Sequence, residues 1–210
     1  MIVPGVSIVR LGAGDADSLL SIYEEALPPE ERKSANAIRQ CLSRTDYHIL
    51  GARTQSGRLL GFAIFFVSCT QPVALLEYLA TDGAFRGGGV GTSLFKAGMV
   101  VIEERCLLIE VDSDRATTDP RAPARRRQLF YQRLGCQSIG GIDYHMPQVN
   151  IGQPPPMDLL IHRNGREGPI TNAELHLWLS DIFLLVYDRP SADAEIDRMI
   201  GGAEGLVVIS

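Results

Sequence analysis

The run Arg86-Gly87-Gly88-Gly89-Val90-Gly91 puts four glycines into six residues, between an apolar strand-like stretch (Val73 to Thr81) and an amphipathic helical one (Val90 to Glu104). A chain in this order must turn sharply from a strand into a helix. Glycine lets backbone N–H groups approach a ligand with no Cβ in the way. The helix N-terminus adds unpaired N–H donors and the positive end of the helix dipole. Together they make a site for an anionic group, above all a phosphate or pyrophosphate. The alternative is a glycine-rich turn that holds no ligand.

Spacing excludes two familiar phosphate loops. A nucleotide-triphosphate loop needs Gly, four residues, then Gly-Lys-Ser/Thr. Counted from Gly87, position 92 is Thr, and the next lysine is Lys96. A dinucleotide fingerprint needs G-x-G-x-x-G, whereas Gly87-x-Gly89 is followed by Thr92 and Gly89-x-Gly91 by Leu94. What stands after the strand is R-x-x-G-x-G.

The rest of the chain bounds the context. Its 210 residues suffice for one domain with a full core, and 45% hydrophobic with 21% charged residues is ordinary for a globular protein. A net charge of −5 gives no basic field for nucleic acid and suits a cationic substrate. Cys41, Cys69, Cys106 and Cys136 are scattered without a C-x-x-C pair, so neither a disulfide framework nor a zinc site is expected. The N-terminus lacks the basic segment and long apolar stretch of a signal peptide. The longest apolar run, Leu59 to Cys69, is too short to span a bilayer. The expectation is a reduced, cytoplasmic protein with neither nucleic acid nor membrane as partner.

Periodicity organises the chain into a first strand at Ser7 to Leu11 and a helix carrying Leu19, Leu20, Tyr23, Ala26 and Leu27. Pro28-Pro29 stops that helix, and Glu30-Glu31-Arg32 opens a second with Ile38, Cys41 and Leu42 inside. His48 to Arg53 and Arg58 to Ser68 flank Gln55-Ser56-Gly57, a hairpin signal, and Val73 to Thr81 completes a three-strand meander. After the glycine run and its helix come a buried strand (Cys106 to Asp112), a polar loop with Pro120 and Pro123, and a helix from Arg125 to Leu134 ended by Gly135. Ile139 to Pro147 and Met157 to His162 form a last strand pair, separated by Pro154-Pro155-Pro156. Thr171 to Glu174 is a capping box for a helix bearing Leu175, Trp178 and Ile182. A short helix, Ser191 to Ile200, and a strand, Leu206 to Ile209, close the chain. This pattern predicts one mixed α/β sheet.

Two further segments carry a family likeness. One is Leu79-Ala80-Thr81-Asp82-Gly83-Ala84-Phe85-Arg86, a strand exit running into the glycine loop; the other is Leu129-Phe130-Tyr131-Gln132-Arg133-Leu134-Gly135-Cys136, close to F-Y-x-x-x-G-F. In this order, with a strand between them, they resemble the GCN5-related N-acetyltransferases (GNATs), over roughly residues 5 to 163 of a single-domain chain. The resemblance implies the GNAT fold, a mixed central β-sheet of about six or seven strands flanked by helices. It implies an acetyltransferase domain over 1–165, with 166–210 a helical extension packed on the same domain.

The resemblance also implies a chemistry: acetyl-CoA as co-substrate, no metal, and direct acetyl transfer to a primary amine, of a small molecule rather than a peptide. The pantetheine arm pairs with backbone groups of Leu79, Ala80 and Thr81. The pyrophosphate lies on N–H groups of Gly87, Gly88, Gly89, Val90, Gly91 and Thr92, with Arg86 shaping the loop. A backbone N–H near Leu79 to Thr81 polarises the thioester carbonyl, an effect worth about 3 kcal/mol per donor. Tyr131 corresponds to the family's general acid, which protonates the departing thiolate; its alternative role is packing under the helix. Glu110 and Glu77 are candidate bases, since a carboxylate in an apolar strand is costly unless paired or used. For each, the alternative is an ordinary partnered strand glutamate. His145 is a third candidate.

Departures from the family pattern are Ala124, where many relatives carry Asn seven residues before the tyrosine, and Cys136 in place of the usual Phe. The stretch from Glu110 to Tyr131 is also longer than in many relatives. Arg121, Arg125, Arg126, Arg127 and Arg133 form a basic patch, read either as a contact for the coenzyme's 3′-phosphate or as a solvated helix face. Trp178 and its apolar neighbours dock the C-terminal helix on the core or serve a homodimer interface. With Ala124 and an unassigned base, the competing function is a catalytically weak or inactive acyl-CoA-binding regulator.

Overall fold

Apolar runs punctuated by glycine and proline become eight strands and six α-helices among the described residues of the computed structural model. Those residues are 5–115, 117–119, 121–149, 155–190, 192–201 and 205–209. Pro120, Pro154 and Ser191, read from the sequence as loop residues and a helix start, lie outside them. The chain divides into two compact units. The first comprises residues 5–67 and 76–103 with Val149, and the second the described residues of 68–75, 104–148 and 153–210.

In the first unit the strand order is β1 (Val6–Arg10), β2 (Tyr47–Thr54), β3 (Leu59–Val67) and Leu76–Thr81 of β4 (Val73–Thr81). β1 and β2 are antiparallel, with Val6 opposite Thr54 and Arg10 opposite Leu50. β2 and β3 are antiparallel from Tyr47 opposite Phe66, with an irregularity between Ala52 and Arg53. Eight of the nine β3 residues are buried, as its unbroken apolar sequence requires of a strand covered on both faces. Helix α1 (Ala16–Ala26) buries Leu19, Leu20 and Tyr23, spaced along one face. The second helix starts later than Glu30: a single 3-10 turn occupies Pro29–Glu31, and α2 (Ala35–Cys41) begins after Ser34. The reason is the cap, since the Ser34 hydroxyl accepts a hydrogen bond from the Ala37 amide at 3.2 Å.

Helix α3 (Val90–Val101) packs closely on β3 through Gly98, where an added Cβ would lie 2.0 Å from Cζ of the fully buried Phe65 ring. Gly98→Ala is therefore expected to destabilise the protein by about 1–3 kcal/mol, because neither helix nor ring can yield without repacking. Thermal melts should show a Tm lower by roughly 5 °C. An unchanged Tm would mean that the contact is slack.

The second unit takes Val73–Leu75 of β4 and continues with β5 (Cys106–Asp112), β7 (Met157–His162), β6 (Gln137–Gly140) and β8 (Val208–Ile209) in that order. β7 is antiparallel to both neighbours, with Glu110 opposite Leu159 and Gln137 opposite Ile161. The expected strand from Ile139 to Pro147 stops at Gly140, where Gly141 turns the chain at φ +75°. Eight strands exceed the expected six or seven because the C-terminal residues join the sheet, Ile209 opposite Ile139 and Val208 opposite Gly140. The same unit holds α4 (Pro123–Arg133), α5 (Asn172–Leu185) and α6 (Asp193–Ile200). Pro123 sits in the first turn of α4, where its missing N–H costs nothing, so this helix starts two residues before Arg125. The Thr171–Glu174 capping box forms as the sequence indicates, and α5 buries Leu175, Trp178, Ile182 and Phe183. Among the described residues no helix is long and apolar enough to cross a membrane.

Candidate active site

The glycine run of the first unit forms a short, anchored turn. At the exit of β4 the Asp82 carboxylate accepts from the Ala84 amide at 2.9 Å and pairs with Arg58 at 2.8 Å, and these two groups hold its pKa below the usual value. The Asp82 amide in turn donates to the Leu60 carbonyl of β3 at 2.9 Å. Gly87 and Gly89 then adopt φ +80° and +84°, the left-handed region that disfavours any residue with a Cβ. Gly87, Gly88 and Gly89 are all exposed, and Cβ space at Gly87 is open. Gly89 is the N-cap of α3 and can offer no side-chain cap; the first turn contains no acidic residue. The first α-helical bond is donated by Ser93 to the Gly89 carbonyl, leaving the amides of Val90, Gly91 and Thr92 as first-turn donors. An exposed, uncapped, acid-free helix start after two left-handed glycines suits an anionic group such as a phosphate. Arg86 is exposed beside it. On β4, Leu79 and Thr81 are half-buried on one face while Ala80 is buried on the other.

Glu77 lies on the same strand in a sealed network. One carboxylate oxygen meets Lys33 Nζ at 2.6 Å, and the other accepts from the Tyr47 hydroxyl at 3.1 Å. The Glu77 side chain is only 3% exposed and that of Lys33 11%. Tyr23 Oη accepts from the Lys33 amide at 2.8 Å, and Tyr78 Oη donates to the Glu31 carbonyl at 3.2 Å, fixing the segment that presents Lys33. Burial pushes the Tyr23 phenol up to about 12.

The second unit carries the other predicted groups. Tyr131 is buried on α4, and burial holds its phenol well above the ordinary tyrosine value, with the neighbouring Cys136 adding to the effect. Its backbone is fixed by Gly135 at φ +90°, which ends the helix and lets the Cys136 amide donate to the Tyr131 carbonyl at 3.1 Å. Cys136 itself is buried, its thiol pushed up to about 12, and so carries no thiolate at neutral pH.

Glu110 on β5 is half-buried, and its two carboxylate oxygens accept hydrogen bonds from the hydroxyls of Tyr144 and Tyr187. Neither tyrosine carries a local signal in the sequence, although Tyr144 stands next to the candidate His145. His145 is exposed, and its Nδ1 lies 2.8 Å from the Asp143 carbonyl oxygen. Gln128, also without a local signal, is buried on α4 and donates to Asp158 at 2.8 Å and to the Asp112 carbonyl at 3.2 Å. Two of the patch arginines are paired: Arg125 with Asp114 at 2.6 Å, and Arg127 with Asp112. Among the described residues no group of three His, Cys, Asp or Glu side chains could hold a metal ion.

The profile of the acetyltransferase (GNAT) family matches residues 16–135. Among solved structures, the fold is similar to a GNAT-family protein from Bacteroides thetaiotaomicron (TM-score 0.70, 22% identity, covering 87% of this chain and 99% of that one). It is also similar to the ribosomal-protein-S18-alanine N-acetyltransferase from Escherichia coli (TM-score 0.59, 20% identity, 78% and 96% covered). An aminoglycoside 6′-N-acetyltransferase solved with coenzyme A gives a TM-score of 0.59 at 18% identity, with 77% and 99% covered. No curated protein sequence matches the chain significantly.

Proposed function

Since the chain belongs to the GNAT family of acetyltransferases, we propose that it acetylates the primary amine of a small cationic molecule. The observation that carries the donor side of this reading is the uncapped, acid-free start of α3 behind Gly87 and Gly89. Acetyl-CoA supplies the activated acetyl thioester. The amides of residues 87–92 hold its pyrophosphate, and backbone groups of Leu79 to Thr81 take its pantetheine arm as an added strand would be taken.

Of the two carboxylate candidates, the partners favour Glu110: its oxygens meet phenol hydroxyls, whereas Glu77 is committed to an ion pair with Lys33. Glu77 has one oxygen on Lys33, the other on Tyr47, and almost no solvent exposure. We assign it a structural role. Glu110 is half-buried, and its two oxygens accept from the neutral hydroxyls of Tyr144 and Tyr187. It takes the proton that the ammonium group must lose before attack, directly or through a water. Tyr131 donates to the sulfur as charge builds there. A fixed carboxylate and a net charge of −5 both favour a cationic acceptor.

The test pairs calorimetric titration with coenzyme A and free-thiol release from acetyl-CoA over a panel of small amines and N-terminal peptides. The expected result is coenzyme binding together with thiol release on small cationic amines. Release with peptides alone would move the acceptor to a protein. Binding without release on any amine would favour a coenzyme-binding regulator, and absence of binding would overturn the reading.

A further inference from the structure

Tyr144 and Tyr187 meet one carboxylate from different parts of the C-terminal half of the chain. Tyr187 follows α5 directly, and its ring packs edge-on against the fully buried Phe183 of that helix, centroids 5.9 Å apart at 81°. Tyr144 is buried in the irregular segment after β6, which is tied to the end of α6 where the Asp143 amide donates to the Met199 carbonyl at 2.8 Å. The phenol of Tyr144 is held neutral by burial and by the charge of Glu110, so it stays a donor. The hydroxyl of Tyr144 reaches Oε1 of Glu110, and that of Tyr187 reaches Oε2.

Resting on the reading of Glu110 as base, we infer that Tyr144 and Tyr187 are its positioning residues, which makes the region of α5 and α6 a working part of the acceptor-deprotonating machinery. A glutamate has three side-chain torsions. Two donors, one per oxygen, hold the carboxylate in one rotamer and one plane. A carboxylate oxygen has two lone-pair sites, so accepting from a phenol does not by itself prevent it from taking a proton. Because α5 and α6 hold both tyrosines, displacement of either helix turns the carboxylate. A docking role alone would be served by any apolar packing and needs no two-donor clamp on a single acid.

The experiment uses the full chain as wild type and as Tyr187→Phe, Tyr144→Phe and Glu110→Gln. All are measured with an amine that turns over, and the carboxyl 13C resonance of Glu110 is followed in glutamate-labelled protein. The resonance is assigned by its loss in Glu110→Gln. Tyr187→Phe is expected to move it at fixed pH and to lower kcat about tenfold, the effect of one charge-assisted hydrogen bond. KM for the amine should stay within about twofold, since the interaction orients rather than binds. A resonance that does not move, or a wild-type kcat in both tyrosine variants while Glu110→Gln is inactive, overturns the inference and leaves the base assignment standing. A Glu110→Gln variant as active as wild type overturns the base assignment itself, and the catalytic role of the clamp with it.

Discussion

Tyr131→Phe is expected to lower kcat by roughly a hundredfold, with KM for acetyl-CoA within about twofold of wild type. The substitution removes one oxygen from a buried ring and leaves the packing of α4 in place. Burial holds the phenol far above its ordinary value, so the protonated form is present throughout the range in which the enzyme can be assayed. The sign follows directly: a raised pKa favours the acid form, and no alkaline fall in rate up to about pH 10 can come from Tyr131 ionising. The same burial makes the phenol a weak acid toward a thiolate. Its contribution is therefore a hydrogen bond that strengthens as charge develops on sulfur, of the size of a single oxyanion donor. Measured from pH 6 to 10, the Tyr131→Phe profile should keep the wild-type shape at a uniformly lower level. Kinetics like those of wild type across that range would remove Tyr131 from the mechanism.

What could be read in the sequence is what neighbours in sequence determine. The glycine loop is written in six consecutive residues, because two left-handed positions and an uncapped helix start are local requirements. The Tyr131 helix and its Gly135 stop are local in the same sense. The surroundings of the two glutamates are not. Tyr47 lies 30 positions from Glu77, Tyr144 lies 34 from Glu110, and Tyr187 lies 77 away. Both carboxylates look alike in an apolar strand, and only the fold separates the one in an ion pair with Lys33 from the one that meets two phenols. The strand read at Leu206 to Ile209 shortens for a related reason: β8 keeps only Val208 and Ile209, the two residues that pair with β6. The late start of α2 is a competition between two local signals, in which the Ser34 hydroxyl outweighs the acidic residues after Pro29.

Lys33→Met is expected to destabilise the protein by about 3–5 kcal/mol, the cost of leaving one partner of a buried ion pair uncompensated. Lys33 is one of two lysines in the chain, beside 18 arginines, and its ammonium is the group 2.6 Å from a carboxylate with a 3% exposed side chain. Tyr47 remains as a donor in the variant, but one neutral hydrogen bond does not offset the loss of a full charge at that distance. The second substitution decides the cause. Glu77→Gln in the Lys33→Met background removes the stranded charge and should recover more than half of the lost stability in urea denaturation, a coupling that a double-mutant cycle reads directly. The double variant also separates the structural role of Glu77 from a catalytic one. If Glu77 only seals the region between β4 and the segment before α2, the refolded double variant keeps kcat within a few-fold of wild type. A double variant that regains stability while kcat stays down by a hundredfold or more would make Glu77 the base and displace Glu110.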